Sequence, residues 1–149
     1  MNFEILPAEQ AILFETDDPA PLLQGVPSAS EIIEGFYCAP HDIETVARLA
    51  LMGVQVPSPI EFYYKWPREK NTIPAPFKHQ IATASFAITN PHGYILNDIG
   101  TGKSLTAAWA ADYLIESGCG HRVLIVAPLS TLERVWGDTL FIHFTHRTF

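Results

Sequence analysis

Short apolar runs in the first part of the chain predict β-strands. Residues 3–6 and 11–16 form two such runs, separated by the proline-containing stretch 7–10, and residues 35–39 form a third. Runs of this length bounded by turn formers are typical of strands. We therefore expect a pair of strands near the N-terminus, with one further strand.

Helical spacing replaces this pattern between residues 43 and 51. Asp42 precedes the segment as a candidate N-cap, and Gly53 follows its end. Apolar residues recur there at the spacing of one helix face; they are Ile43, Val46, Ala47, Ala50 and Leu51. Together with the strands, this helix predicts a small α+β domain.

The second part of the chain alternates helices and apolar strands. The predicted order is helix, strand, loop, helix, strand, helix, at residues 77–89, 93–97, 98–103, 104–117, 122–127 and 130–141. A strand, a helix and a second strand in this order predict a βαβ unit with parallel strands and a right-handed crossover. The first helix after the loop is apolar almost all round, which is typical of a helix covered on both sides.

A proline-rich and charged joint at residues 65–76 separates the two regions, and we place the boundary near Asn71. The predicted domains are 1–70 and 71–149. An aromatic cluster precedes the joint and permits two interpretations, a platform for stacked bases or an anchor that fixes a linker to a core. Its members are Phe62, Tyr63, Tyr64 and Trp66.

Composition narrows the possible classes of protein. The 149 residues are 48% hydrophobic and 17% charged, which is typical of a globular chain. A net charge of -7 excludes a broad basic face, so any nucleic-acid contact must be local. Cys38 and Cys119 form no metal-ligand or disulfide pattern, and no signal peptide or membrane-length apolar run is present. We expect a cytoplasmic protein that is not inserted in a membrane.

The loop 97–104, with the sequence NDIGTGKS, carries the clearest chemistry. A phosphate-binding loop turns backbone N–H groups toward anionic oxygens, which requires glycine where a Cβ would collide or φ is positive. Gly100 and Gly102 meet this requirement. Lys103 is placed to reach the β and γ phosphates, Ser104 to ligate Mg²⁺, and the following helix directs its positive end at the charge.

Asn97 departs from the strict phosphate-loop pattern, which has glycine at that position. This variant resembles the first ATPase motif of superfamily two helicases, in particular the Swi/Snf-like branch, whose loop begins with an acidic or polar residue. The resemblance implies that ATP and Mg²⁺ bind here through the whole loop: Asn97, Asp98, Ile99, Gly100, Thr101, Gly102, Lys103 and Ser104. It also implies an α/β fold in which a partial RecA-like P-loop domain with a parallel sheet follows the small α+β domain.

Gln80 lies in the stretch PAPFKHQ, which is similar to the adenine-recognising glutamine motif of the same family. Its side-chain amide offers the donor and the acceptor needed to pair with adenine N6 and N7. Phe77 is placed to pack beside the adenine ring. Alternatively, a glutamine at a helix start is simply solvated.

Residues 123–136 resemble the motif that follows the second strand in these ATPases. The resemblance implies that Ser130 and Thr131 contact the DNA backbone. Both residues also suit the N-terminal cap of the next helix, and the two interpretations are compatible.

A catalytic carboxylate that would hold Mg²⁺ and orient water is missing downstream of Lys103, where no apolar run ends in Asp-Glu. The acidic run after residues 11–14, with Glu15, Asp17 and Asp18, lies upstream and is an ordinary strand end. His143 and His146 have no matching cysteine or acidic partner nearby in sequence, which favours a solvated or core role over metal binding. We expect an N-terminal portion of a longer enzyme.

The resemblance therefore implies the nucleotide-binding part of an ATP-dependent helicase or translocase of phage type, acting on double-stranded DNA in the host cytoplasm, with Lys103 as the catalytic residue of the loop. Alternatively, the chain is a non-catalytic protein- or DNA-binding module with a vestigial P-loop. In both cases the small α+β domain, residues 1–70, is a candidate for binding a protein partner. An unrelated P-loop kinase is disfavoured, because the glutamine motif and residues 123–136 would then be coincidences.

Overall fold

A computed structural model describes residues 1–67 and 75–148 of the protein. The chain divides into two units, Met1–Tyr64 and Lys65–Phe149, each of which is described by itself below. The domain boundary predicted at Asn71 lies outside the described residues.

A four-stranded antiparallel sheet forms the first unit, in the order β1-β2-β4-β3. The strands are β1 (Asn2–Leu6), β2 (Ala11–Glu15), β3 (Ser30–Ile33) and β4 (Phe36–Pro40). Asn2 lies opposite Glu15 in the first pair, and Ala11 lies opposite Pro40 in the second. The three strands predicted from apolar runs are confirmed as β1, β2 and β4, whereas β3, whose residues are all exposed, was not predicted.

Three helices accompany this sheet: α1 (Ala20–Gly25), α2 (Ile43–Leu51) and α3 (Pro59–Tyr63). The predicted cap of α2 is confirmed, because Asp42 Oδ1 accepts a hydrogen bond from the Thr45 N–H at 2.8 Å. Helices α1 and α2 share one buried hydrophobic core with the sheet. Its members are Ile12, Phe14, Leu22, Val26, Ala29, Tyr37, Ala39, Val46 and Leu49.

The aromatic segment before the joint is anchored within the first unit through α3. Ile60 is fully buried, and the buried His41 ring contacts the Tyr63 hydroxyl through Nδ1 at 2.8 Å and donates from Nε2 to the Pro57 carbonyl at 2.9 Å. The Phe62 ring meets His41 edge-on. These contacts favour the anchoring interpretation of Phe62 and Tyr63 over a free stacking platform.

The second unit is helical in its described residues. Its helices are α4 (Lys78–Thr89), α5 (Lys103–Glu116), α6 (Leu129–Thr131) and α7 (Asp138–His143), and a π-helical segment, Leu132–Gly137, joins the last two. The predicted helices at 77–89 and 104–117 are confirmed as α4 and α5. Buried residues of α5 lie on several sides of the helix, and the Trp109 ring packs edge-on against Trp66 at 5.7 Å.

The predicted parallel sheet is wrong. Within residues 1–67 and 75–148 the sheet is antiparallel and belongs to the first unit, and neither 93–97 nor 122–127 is a strand. Their side chains are largely exposed, Leu96 at 91% and Leu124 at 87%. A strand requires a neighbour that accepts and donates its backbone hydrogen bonds, and apolar periodicity alone does not supply one. The partial RecA-like fold expected from the resemblance is therefore corrected: an antiparallel α+β unit is followed in the chain by a unit that is helical in its described residues.

No helix in the described part of the chain combines the length and the apolar character needed to cross a bilayer.

Candidate functional site

The loop between residues 97 and 104 has the backbone conformation predicted from its glycines. Gly100 and Gly102 adopt φ of +81° and +76°, values in the left-handed region that favours glycine. Gly102 is also the N-cap residue of α5, so the loop leads directly into the first turn of a 14-residue helix. The N–H groups of such a turn lack helical partners and favour anions.

Lys103 turns its side chain back over this loop. Its ammonium donates to the carbonyl oxygens of Asn97 at 2.9 Å and Asp98 at 2.6 Å. The Asp98 carbonyl also accepts from the Thr101 hydroxyl at 2.9 Å, which closes the loop on itself. A lysine cation is thereby held among the backbone groups of the loop rather than extended into solvent.

The first turn of α5 is fixed from within. The buried Thr106 hydroxyl donates to the Gly102 carbonyl at 3.1 Å, and the Thr106 N–H donates to the same oxygen at 3.0 Å. Ser104, the expected Mg²⁺ ligand, occupies the second position of the helix and is half-buried. In contrast to these buried and half-buried residues, the Ile99 side chain in the loop is fully exposed.

Gln80 joins the start of α4 to the loop. Its Oε1 accepts from the Phe77 N–H at 2.9 Å, and its Nε2 donates to the Thr101 carbonyl at 3.3 Å. Gly102 permits this approach, because a Cβ at that position would collide with the Gln80 amide. The structure therefore places Gln80 against the loop 97–104, and it is buried there, with 7% of its surface exposed.

Asn97 makes a second link between the loop and α4. Its Nδ2 donates to the Thr83 hydroxyl at 3.1 Å, and that hydroxyl donates to the His79 carbonyl at 2.7 Å. The asparagine that replaces the usual glycine thus has a structural role at the first loop position. Thr83 therefore holds the loop at its first residue, Asn97, and Gln80 holds it at Thr101.

Two exposed rings lie at the N-terminal end of α4, beside the loop. The Phe77 and His79 rings are nearly parallel, with an interplanar angle of 10° and centroids 5.6 Å apart. His79 Nε2 lies 3.3 Å from the Thr101 carbonyl, which places this ring against the loop as well. Phe77 is exposed.

Ser130 and Thr131 lie in α6, far along the chain from the loop. The Thr131 hydroxyl donates to the Pro128 carbonyl at 2.9 Å, and Ser130 is exposed. This bond lies within one helical turn, so Thr131 stabilises the start of its own helix. The expected contact of Thr131 with DNA stays a prediction.

An ionic cluster that sequence spacing did not reveal joins α5 to the C-terminal residues. The buried Asp112 carboxylate accepts from Arg147 Nε at 2.6 Å and lies 3.1 Å from His146 Nε2. Asp112, Glu116 and His146 form a group of potential metal ligands in the described residues. Since the Arg147 guanidinium already neutralises Asp112, this cluster is an ion pair that fixes the C-terminal segment. Nearby, burial lowers the pKa of His143.

The sequence does not reveal these contacts, because Gln80 and Thr101 are 21 positions apart and Asp112 and Arg147 are 35 positions apart.

Comparisons of the chain with protein families, with curated proteins and with solved structures give no match.

Proposed function

We propose that the protein binds Mg²⁺-ATP through the loop 97–104 and serves as the nucleotide-binding part of an ATP-dependent DNA helicase or translocase. The observation that supports this most directly is the convergence, in eight residues, of two positive-φ glycines, a helix N-terminus and the Lys103 ammonium. Each of these features favours a bound polyphosphate.

In this proposal Lys103 moves from the Asn97 and Asp98 carbonyls to the phosphate oxygens, and Ser104 supplies a hydroxyl ligand for Mg²⁺. The metal would neutralise phosphate charge when bound. Because no apolar run ending in Asp-Glu follows Lys103 in the sequence, we expect binding with negligible hydrolysis. Ser130 and Thr131 are the proposed contacts to duplex DNA, through its phosphates.

Nucleotide binding is tested by the thermal unfolding of the chain with and without Mg²⁺-ATP. We expect stabilisation that grows with ATP concentration, as ligand linkage requires, and that is lost in Lys103→Ala. Arg122→Ala removes the same charge from an exposed position in another segment and is the matched control. Equal stabilisation of the parent and Lys103→Ala chains would contradict the proposal, whereas rapid turnover of ATP by this chain would contradict only the expected lack of hydrolysis.

DNA binding is tested separately, by fluorescence anisotropy with a labelled duplex at low salt. We expect weak, salt-sensitive binding that is reduced in a Ser130→Ala, Thr131→Ala double variant, since only a local phosphate contact is available on a chain of net charge -7. Binding that is unchanged by the double substitution would remove these two residues from the proposal.

A further inference from the structure

The side-chain amide of Gln80 is already engaged by the protein. Its oxygen accepts from the Phe77 N–H and its nitrogen donates to the Thr101 carbonyl. Pairing with adenine N6 and N7 requires an acceptor and a donor presented together to the base. With 7% of the residue exposed, little of the amide is within reach of a ligand.

An exposed aromatic surface lies one turn away. The Phe77 ring is 63% exposed and is backed by the nearly parallel His79 ring. His79 in turn contacts the Thr101 carbonyl, so the pair of rings lies next to the loop 97–104. A flat exposed ring beside a polyphosphate site offers a stacking surface to any nucleobase, because every base has a π-face.

From these contacts we infer that the base of a bound nucleotide stacks on Phe77, while Gln80 acts as a positioning residue that holds Thr101 and Gly102 in the phosphate loop. The ligand class is then nucleoside triphosphates in general, without selection of adenine. This inference rests on the proposed nucleotide binding and concerns only how the base is held.

Selectivity among nucleobases distinguishes recognition of the base by stacking from recognition by hydrogen bonds. Guanine carries an oxygen where adenine has its N6 donor, and 7-deaza-ATP lacks the N7 acceptor, so an amide that paired with both positions would reject both compounds. Stacking tolerates both. We expect Mg²⁺ complexes of ATP, GTP and 7-deaza-ATP to bind the full chain within about threefold of one another, since their π-faces are similar.

Substitutions then separate the two side chains. Phe77→Ala should weaken binding of all three nucleotides roughly fivefold or more, the usual range for loss of base stacking, and Phe77→Tyr should retain it. Phe86→Ala, at the opposite end of α4, is the matched aromatic control and should leave binding unchanged. Gln80→Leu should weaken ATP, GTP and inorganic tripolyphosphate by the same factor, because it acts through the loop.

Direct titration by calorimetry, with circular dichroism to check folding of each variant, gives a decision for every outcome. Similar affinities that fall together in Phe77→Ala support the inference. Preference for ATP over GTP and 7-deaza-ATP by more than about tenfold, removed by Gln80→Leu, would overturn it while leaving the proposed function standing. Failure of all three nucleotides to bind would overturn both.

Discussion

The two units of the protein differ in how fully each satisfies its own hydrophobic pattern. In Met1–Tyr64, one face of β2 and one face of α2 contribute to a shared buried core, with Ile12, Phe14 and Leu49 fully removed from solvent. In Lys65–Phe149, the apolar residues of 94–96 and 123–126 are mostly exposed, although their sequences are as strand-like as that of β2.

The difference shows that strand formation depends on pairing as much as on composition. Strand β2 is hydrogen-bonded to β1 on one side and to β4 on the other. Residues 122–127 have no sheet neighbour among the described residues. The same kind of apolar run therefore becomes a core strand in one unit and an exposed segment in the other.

Amide hydrogen exchange should give the largest contrast between the units. Amides of β2 are held in two ladders and should exchange only through substantial unfolding, whereas those of residues 123–126 should exchange near their intrinsic rates, which predicts a difference of about 10³-fold or more. Mass spectrometry of peptic fragments provides the measurement. Comparable protection of the two segments would contradict the exposed state of 123–126.

Truncation of one buried and one exposed apolar side chain should give the next largest difference between the units, measured as the free energy of unfolding. Phe14→Ala removes a fully buried ring and should lower the free energy of unfolding by about 3–5 kcal/mol. Leu124→Ala removes an exposed side chain and should change it by less than about 0.5 kcal/mol. Urea unfolding followed by circular dichroism measures both, and a large loss in Leu124→Ala would show that this side chain is covered in solution.

Within the second unit, alanine at Gly102 should weaken Mg²⁺-ATP binding more than alanine at Gly100. Both residues have positive φ and would suffer similar backbone strain, of roughly 1–2 kcal/mol. Only the Gly102 Cβ also collides with the Gln80 amide and displaces it from Thr101. The added backbone strain and the lost hydrogen bond, about 1.5–3.5 kcal/mol together if both fall on the nucleotide-binding conformation, predict a loss in affinity of roughly 10- to 400-fold for Gly102→Ala.

Gly118→Ala supplies the control for this comparison. Gly118 has φ of +75° and open space around it, but it lies beyond the end of α5, away from the loop. It should lose stability to a similar extent without losing affinity. If Gly100→Ala and Gly102→Ala had equal affinities for nucleotide, the Gln80 contact would have no role in shaping the loop.

The smallest expected effect concerns the first loop position. Asn97→Ala and Thr83→Val each remove the hydrogen bond between these two side chains and should each weaken Mg²⁺-ATP binding by about 0.5–1.5 kcal/mol; Thr83→Val also removes the bond to the His79 carbonyl, which lies within α4. The double variant should lose no more than either single one, which a double-mutant cycle measures as coupling. Additive losses would mean that the two side chains act independently.

Features encoded by short stretches of sequence were predictable. Asp42 at the start of α2 and the positive-φ glycines of the loop 97–104 were found because caps and positive-φ positions restrict residue type locally. The contacts that complete the site were not predictable in this way. Gln80 and Thr101, like Asp112 and Arg147, meet only through the packing of separate segments, and residues 93–97 and 122–127 were predicted as strands without knowledge of a pairing partner.

Lys103 already has two carbonyl partners before any ligand arrives. The proposed binding of a nucleotide would therefore be an exchange reaction, in which the ammonium leaves one set of oxygens for another, and only the difference between the two sets would contribute to affinity. An anion with a single weakly charged oxygen gains little from that exchange. The loop should consequently discriminate by anionic charge density, with tripolyphosphate favoured over monovalent anions even when no base is attached.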